Sequence, residues 1–191
     1  MDTTSWQIHE RHNRTRIPRL AVFTFVFVAL VAFSVFFQPV VVQGKSMLPA
    51  LQDGQFVLMD RQYYRWNTVR KDDIVVFRRG SDLYVKRVYA TAGKTVQIVR
   101  SSDGTASLPE SLGPPQRIAE MLRDRPDIGR LVAVRVPPRC VFVVGDNVNS
   151  SMDSRDFGPI PDKAIMGYVP GPAPGADSVL ADTGALRIAH R

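Results

Sequence analysis

The sequence predicts a mainly β domain carried behind a single N-terminal transmembrane helix. Residues 20–37 form an unbroken apolar run, LAVFTFVFVALVAFSVFF, and from Val40 onward short apolar runs alternate with turn residues. A length of 191 residues limits the chain to one domain of ordinary size plus an anchor or tail. Apolar residues make up 45% of the chain, a share that excludes global disorder.

At about 1.5 Å per residue, the helix expected over 20–37 covers about 27 Å, the thickness of one hydrocarbon core. It lacks the polar stripe of a core helix, bearing only the hydroxyls of Thr24 and Ser34. A cleavable leader has an apolar segment of about 7–15 residues ending in small side chains. This run is longer and ends Phe36-Phe37-Gln38-Pro39, so an uncleaved anchor is expected. Arg11, Arg14, Arg16 and Arg19 precede it, against Asp2 and Glu10 as the acids of that flank. Basic flanks stay in the cytoplasm, which sends the residues after the run to the outer face.

Beyond the anchor, strands are expected at 39–43, 55–59, 73–78, 83–90, 95–99, 131–136 and 140–144, with Asp53-Gly54, Asp103-Gly104 and Pro137-Pro138 as turn signals. Residues 101–130 break this rhythm and read as an insertion between strands. Within it, 115–125 has the spacing of a short helix with Ile118, Met121 and Leu122 on one face. The organisation expected is a basic N-terminus at 1–19, an anchor at 20–37, a β domain at 38–169 and a tail at 170–191, poor in ordering signals.

Composition removes several chemistries. Cys140 is the single cysteine, which excludes an internal disulfide and a Cys-x-x-Cys metal site. The three histidines, His9, His12 and His190, lie near the termini, away from the β domain. A histidine-based metal centre or a Ser-His-Asp triad is therefore disfavoured, and an enzyme of this sequence needs another base. The net charge of +7 comes without a long basic run or interleaved aromatics. Nucleic-acid binding is thus disfavoured, and anionic lipid headgroups suit the charge better.

Three segments carry possible chemistry. Ser46 sits in Gly44-Lys45-Ser46-Met47-Leu48-Pro49, within about 30 Å of the end of the anchor by chain length. A serine in a Gly/Pro turn is most often structural, so alone it says little. In a strand over 83–89, Tyr84, Lys86 and Val88 share one face, and Leu83, Val85, Arg87 and Tyr89 share the other. Whichever face turns inward places a basic side chain among apolar ones. Desolvation lowers a lysine's pKa, and a neutral amine can act as general base toward a serine hydroxyl. The plainer alternative for Lys86 is a stem laid over apolar surface with its head in water. Finally, the apolar run 141–144 empties into GDNVNSSMDSRDFG at 145–158, where Asp153 and Arg155 can pair. As an exposed pair they would be worth little energetically, and their value would be positional.

Together, GKSMLPAL at 44–51, DDIVVF at 72–77, YVKRV at 84–88 and GDNVNSSMDSRDFG at 145–158 resemble, in order and spacing, the boxes of the type I signal peptidase (leader peptidase) family. The resemblance spans residues from about 40 to 169, and the anchor fits it. It implies a mostly antiparallel, two-lobed β-sheet catalytic domain with a small inserted lobe. It also implies Ser46 as nucleophile and Lys86 as general base, with an acyl-enzyme intermediate and no cofactor or metal. Ser151 would orient the Lys86 amine, and Asp153 and Arg155 would support its loop. Val42, Gly44, Met47, Leu51, Tyr84 and Val85 would line shallow pockets that admit small residues, as in Ala-x-Ala. The substrate would be the signal peptide of an exported preprotein, extended beside 41–44 and 83–85. The resemblance places the protein in the cytoplasmic membrane, in contact with lipid, with its catalytic domain on the outer face.

The chain departs from the family in three places. Gly44 stands where some members carry a serine whose hydroxyl helps to hold the oxyanion. Val148-Asn149 replaces a frequent Arg-Asp, and Ala50 replaces a common threonine. A dedicated processing peptidase of similar build, one maturing a pilin or a conjugation component for instance, shares every motif and is not separated from this reading by sequence. Two other readings fit less well. A self-cleaving Ser-Lys repressor lacks an anchor and cuts an upstream Ala-Gly, whereas Ala92-Gly93 here lies downstream of Ser46. A binding module that has lost activity would have lost Ser46 or Lys86.

Overall fold

The computed structural model describes residues 19–127 and 129–173, so the basic flank before Arg19, all three histidines and the expected tail beyond 173 lie outside the described residues. The chain divides into two units, 1–35 and 36–191.

In the first unit, α1 (Arg19–Phe36) has no buried residue and is apolar all round. It is long and apolar enough to cross a membrane. Its hydroxyls are satisfied along the helix itself: Thr24 Oγ1 donates to the Leu20 carbonyl at 2.9 Å, and Ser34 Oγ to the Val31 carbonyl at 2.8 Å. Both hydroxyls thus have an acceptor within the helix, as an apolar surrounding requires. The helix stops one residue earlier than the apolar run because Gln38 precedes Pro39, and a residue before proline is driven toward extended backbone.

The second unit is built on antiparallel strands. In chain order these are β1 (Phe37–Val41), β2 (Phe56–Asp60), the short α2 (Tyr63–Trp66), β3 (Ile74–Arg79) and β4 (Asp82–Thr91). An inserted lobe follows with β5 (Thr95–Ser101), β6 (Ala106–Ser107), α3 (Pro109–Leu112), α4 (Pro115–Asp124) and β7 (Gly129–Arg135). The chain then returns through β8 (Cys140–Val144), α5 (Ser154–Phe157), β9 (Ile160–Pro161) and β10 (Ile165–Val169). The main sheet has seven strands in the order β1-β2-β10-β3-β4-β8-β9, and the lobe's sheet has three, β6-β5-β7. Pro39 is tolerated because β1 lies at the sheet edge.

Each expected strand is present, with ends shifted by at most two residues and 140–144 unshifted. β10 escaped the sequence reading, yet it lies between β2 and β3 in the sheet. Gly167 interrupts its apolar pattern, and the fold requires that glycine: a Cβ there would stand 2.5 Å from the Asp60 carbonyl oxygen. The lobe's sheet also reaches beyond 101–130, because Thr95 to Ser101 pairs with Gly129 to Arg135. The strands flanking the insertion close on each other, which makes it the small inserted lobe that the resemblance implies. In α4, Ile118 is buried as expected, whereas Met121 lies at the exposed edge of that face.

The core forms three apolar clusters. β3 feeds two of them, Ile74 and Val76 on one face and Val75 and Phe77 on the other, all at most 2% exposed. A strand buried on both faces reads as a continuous apolar run, as IVVF does. In the third cluster, Ala90, Phe142 and Val144 of the main sheet pack with Val96, Ile98, Ala106, Leu108 and Val136 of the lobe. Phe142 is fully buried at this junction. Phe142→Ala should therefore destabilise the solubilised protein by about 3–5 kcal/mol in chemical denaturation, the usual range for deleting a buried aromatic ring.

Candidate active site

The segment bearing Ser46 leaves β1 through a tight turn. Gly44 adopts φ +85°, the left-handed region that favours glycine, and its N–H donates to Asp53 Oδ1 at 2.8 Å. The Leu48 N–H donates to the Lys45 carbonyl at 3.3 Å across half-buried Ser46, and the Leu51 N–H to the Met47 carbonyl at 2.8 Å closes a helical turn just after it. Met47 and Leu51 anchor this turn in the core beneath it.

β4 delivers the second group. Lys86 lies opposite Val75 in the register with β3, and Arg87 lies opposite Val144 in the register with β8. The two basic side chains take opposite faces, and both are buried: Lys86 is 4% exposed and Arg87 6%. The sequence suggested one inward face; the sheet is covered on both. The Lys86 amine donates to Ser46 Oγ at 2.6 Å. Burial pushes its pKa below the ordinary lysine value; Asp153 and Asp146 oppose the shift, and Arg155 reinforces it. Arg87 is neutralised separately. Its Nε and Nη2 grip the two oxygens of Asp146, each at 2.7 Å, and its Nη1 donates to the Asp72 carbonyl at 3.0 Å.

The loop after β8 closes around both. The Asn147 N–H donates to the Ser46 carbonyl at 3.0 Å, and Asn147 Nδ2 to the Lys45 carbonyl at 3.1 Å. Gly145 is wedged between the two segments: a Cβ would collide with Ser151 Oγ and stand 2.5 Å from the Ser46 carbonyl oxygen. Asp153 caps α5, and with Asp156 it forms a reciprocal capping box. The Asp153–Arg155 pair is not exposed, as the sequence had implied. Asp153 is 0% exposed and Arg155 4%, with Nε–Oδ1 at 2.8 Å and Nη2–Oδ2 at 2.9 Å. The loop is held to the end of the apolar run, with the Gly145 N–H donating to Asp153 Oδ2 at 3.0 Å. Ser151 Oγ donates to Asp153 Oδ2 at 2.8 Å, so the hydroxyl proton goes to the carboxylate and its lone pairs are what it can offer an amine.

A cleft of about 870 Å³ runs along this site. Its walls include Val42, Gly44, Ser46 and Met47 on one side, and Tyr84, Val85 and Lys86 on the other. Leu51, expected among the pocket residues, is instead a core residue at 2% exposure, because the turn after Met47 points it inward. β1 is the edge strand of the main sheet, and among the described residues β4 meets β8 only from Arg87 onward, so that residues 82–86 have their ladder partners on β3.

Several participants had no role in the sequence reading. Asp146 and Asn147 belong to the GDN that follows the apolar run, but their partners, Arg87 and the Ser46 segment, are distant in sequence. Ser154 Oγ accepts the Val143 N–H at 3.0 Å, pinning α5 to β8. Exposed Met152 lines the cleft. The Asp-Ser-Arg-Asp spacing at 153–156 is a capping signature that could have located α5.

The family model described as signal peptidase, peptidase S26, matches residues 16–172. A signal peptidase I of Bacillus caldolyticus is 35% identical over 146 residues, covering 70% of this chain and 77% of that relative. A protein of Synechocystis named "Probable signal peptidase I-1" is 34% identical over 169 residues, covering 81% and 79%. The chloroplastic thylakoidal processing peptidase 1 of Arabidopsis thaliana is 28% identical over 160 residues, covering 77% of this chain and 45% of its own length.

Arg155→Ala should lower stability by about 3–5 kcal/mol, because it strands the buried Asp153 carboxylate. The Arg125–Asp127 pair spans 3.5 Å with side chains 65% and 69% exposed. Arg125→Ala should stay within about 0.5 kcal/mol of the parent. Parallel denaturant titrations of the two variants check both values.

Proposed function

We propose that this chain, which belongs to the signal peptidase family of peptidase S26, is a membrane-anchored serine endopeptidase that removes signal peptides from exported proteins. The observation that carries this reading is the 2.6 Å approach of a buried lysine amine to a serine hydroxyl. Ser46 is the nucleophile and Lys86 the general base. Its pKa lowered by burial, Lys86 gives up its proton more readily than an ordinary lysine and, once neutral, takes the hydroxyl proton as Ser46 Oγ attacks the scissile carbonyl. The resulting ammonium gives that proton to the departing amine, leaving an acyl-enzyme on Ser46. Lys86 then deprotonates the water that releases the signal peptide.

The Ser46 N–H is one oxyanion donor. Gly44 brings no hydroxyl, so a second donor comes from backbone or water. Ser151 orients the Lys86 amine through a lone pair, while Asp153 and Arg155 hold Ser151 in place. The substrate lies extended along the cleft, adding backbone hydrogen bonds beside residues 41–44 and 83–85. Val42, Gly44, Met47, Tyr84 and Val85 shape pockets that exclude large side chains, which favours Ala-x-Ala. α1 is the anchor in the cytoplasmic membrane, with residues 1–19 inside and the catalytic domain at 38–169 outside. The segment 101–130 lies within the lobe, and 170–191 forms the tail.

Wild-type protein in detergent should cleave a preprotein at its Ala-x-Ala site, and Ser46→Ala and Lys86→Ala should each lose about four orders of magnitude in rate. A chelator should leave the rate unchanged. Cleavage that survives both substitutions would remove the dyad. The base works deprotonated, so kcat/KM should climb with pH through the lowered Lys86 pKa and fall on acidification. The acid limb should therefore lie below the ordinary lysine range near 10.4.

A further inference from the structure

The inserted lobe touches the active-site loop through polar and apolar contacts. Arg100 is partly buried on β5 of the lobe, and its Nη2 donates to the backbone carbonyl of Arg155 at 3.0 Å. That carbonyl belongs to α5, a helix of only four residues. A single turn has little internal cohesion, and its terminal carbonyls need external partners. Val148, in the same active-site loop, packs against the apolar cluster shared by the lobe and main sheet. The loop is therefore braced from the lobe at two points.

We infer that Arg100 is a positioning residue: by holding the Arg155 carbonyl it fixes α5, and α5 fixes the groups that surround the Lys86 amine. The connection is continuous. The Arg155 side chain grips Asp153, and Asp153 accepts from Ser151 Oγ and from the Gly145 N–H at 3.0 Å. Gly145 lies against the carbonyl of Ser46. The charged groups acting on Lys86 are Asp153, Asp146 and Arg155, and Arg87 holds Asp146 from the other face of the sheet. Asp153 and Arg155 sit at the helix that Arg100 clamps. Releasing the clamp admits water beside the amine and lets the Arg155 charge withdraw, and each change moves the lysine back toward its ordinary value. Arg130, directly opposite Arg100 in the β5–β7 register, is exposed and supplies a control of equal charge.

The inference builds on the proposed role of Lys86, but it can be read without cleavage. Lys86 reactivity toward acetic anhydride is followed against pH by mass spectrometry in the full detergent-solubilised chain and in Arg100→Ala, Arg100→Lys and Arg130→Ala. In Arg100→Ala the Lys86 titration should move up by about half a pH unit, and kcat/KM on the acid limb should fall about threefold with it. Arg100→Lys, which keeps charge and donor, should recover most of the shift, and Arg130→Ala should show none. If Arg100→Ala unfolds, Arg100→Gln, with a neutral donor, takes its place. An unmoved Lys86 titration, or an equal shift in Arg130→Ala, overturns the inference, whatever happens to thermal stability. Failure of the general-base reading looks different: the wild-type cleavage limb would not track the Lys86 titration.

Discussion

The architecture of the site depends on one buried carboxylate. Asp153 is fully buried and accepts five hydrogen bonds, from the Gly145 and Arg155 N–H groups, Ser151 Oγ, and Nε and Nη2 of Arg155. A carboxylate taken out of water is tolerable only when its charge is paired and its lone pairs are occupied. Meeting that requirement fixes the end of β8, the first turn of α5 and the serine between them in one arrangement. Each of those five bonds ties a different atom of the loop to the same carboxylate, so the burial of the charge and the geometry of the loop go together.

The same logic runs through β4. Consecutive basic residues in a strand point to opposite faces, and covering both faces buries both cations. Their fates then diverge. Arg87 receives a bidentate carboxylate from Asp146 and stays a paired structural cation. Lys86 is given a hydroxyl at hydrogen-bond distance, with the nearest carboxylates committed to arginines. Desolvation therefore outweighs attraction at Lys86, and its proton is held weakly. Neighbouring residues of like charge are turned into a clamp and a titratable amine by what faces each of them.

Much of this was legible in the chain. The apolar run at 20–37, the alternating strands and the four boxes lie in contiguous stretches, where spacing alone exposes their pattern. β10 was hidden because Gly167 breaks its apolar rhythm, and that glycine answers to a backbone from β2 that no local pattern reveals. Leu51 looked like a pocket residue by its place in a box, but the turn that follows Met47 rotates it into the core. The lobe read as an interruption because β5 and β7 pair across about thirty residues of intervening chain.

The sequence by itself determined the apolar helix, the β-rich body and which side chains are chemically able to act, since these follow from residue types and short-range periodicity. Tertiary structure alone decided that Lys86 meets Ser46, forty residues away, that the Asp153–Arg155 pair is buried rather than exposed, and that Arg100 reaches α5 from the lobe. Those relations depend on register and on which face of each strand is covered. Both are set by long-range packing, where a shift of one residue would turn every side chain of a strand to the other face.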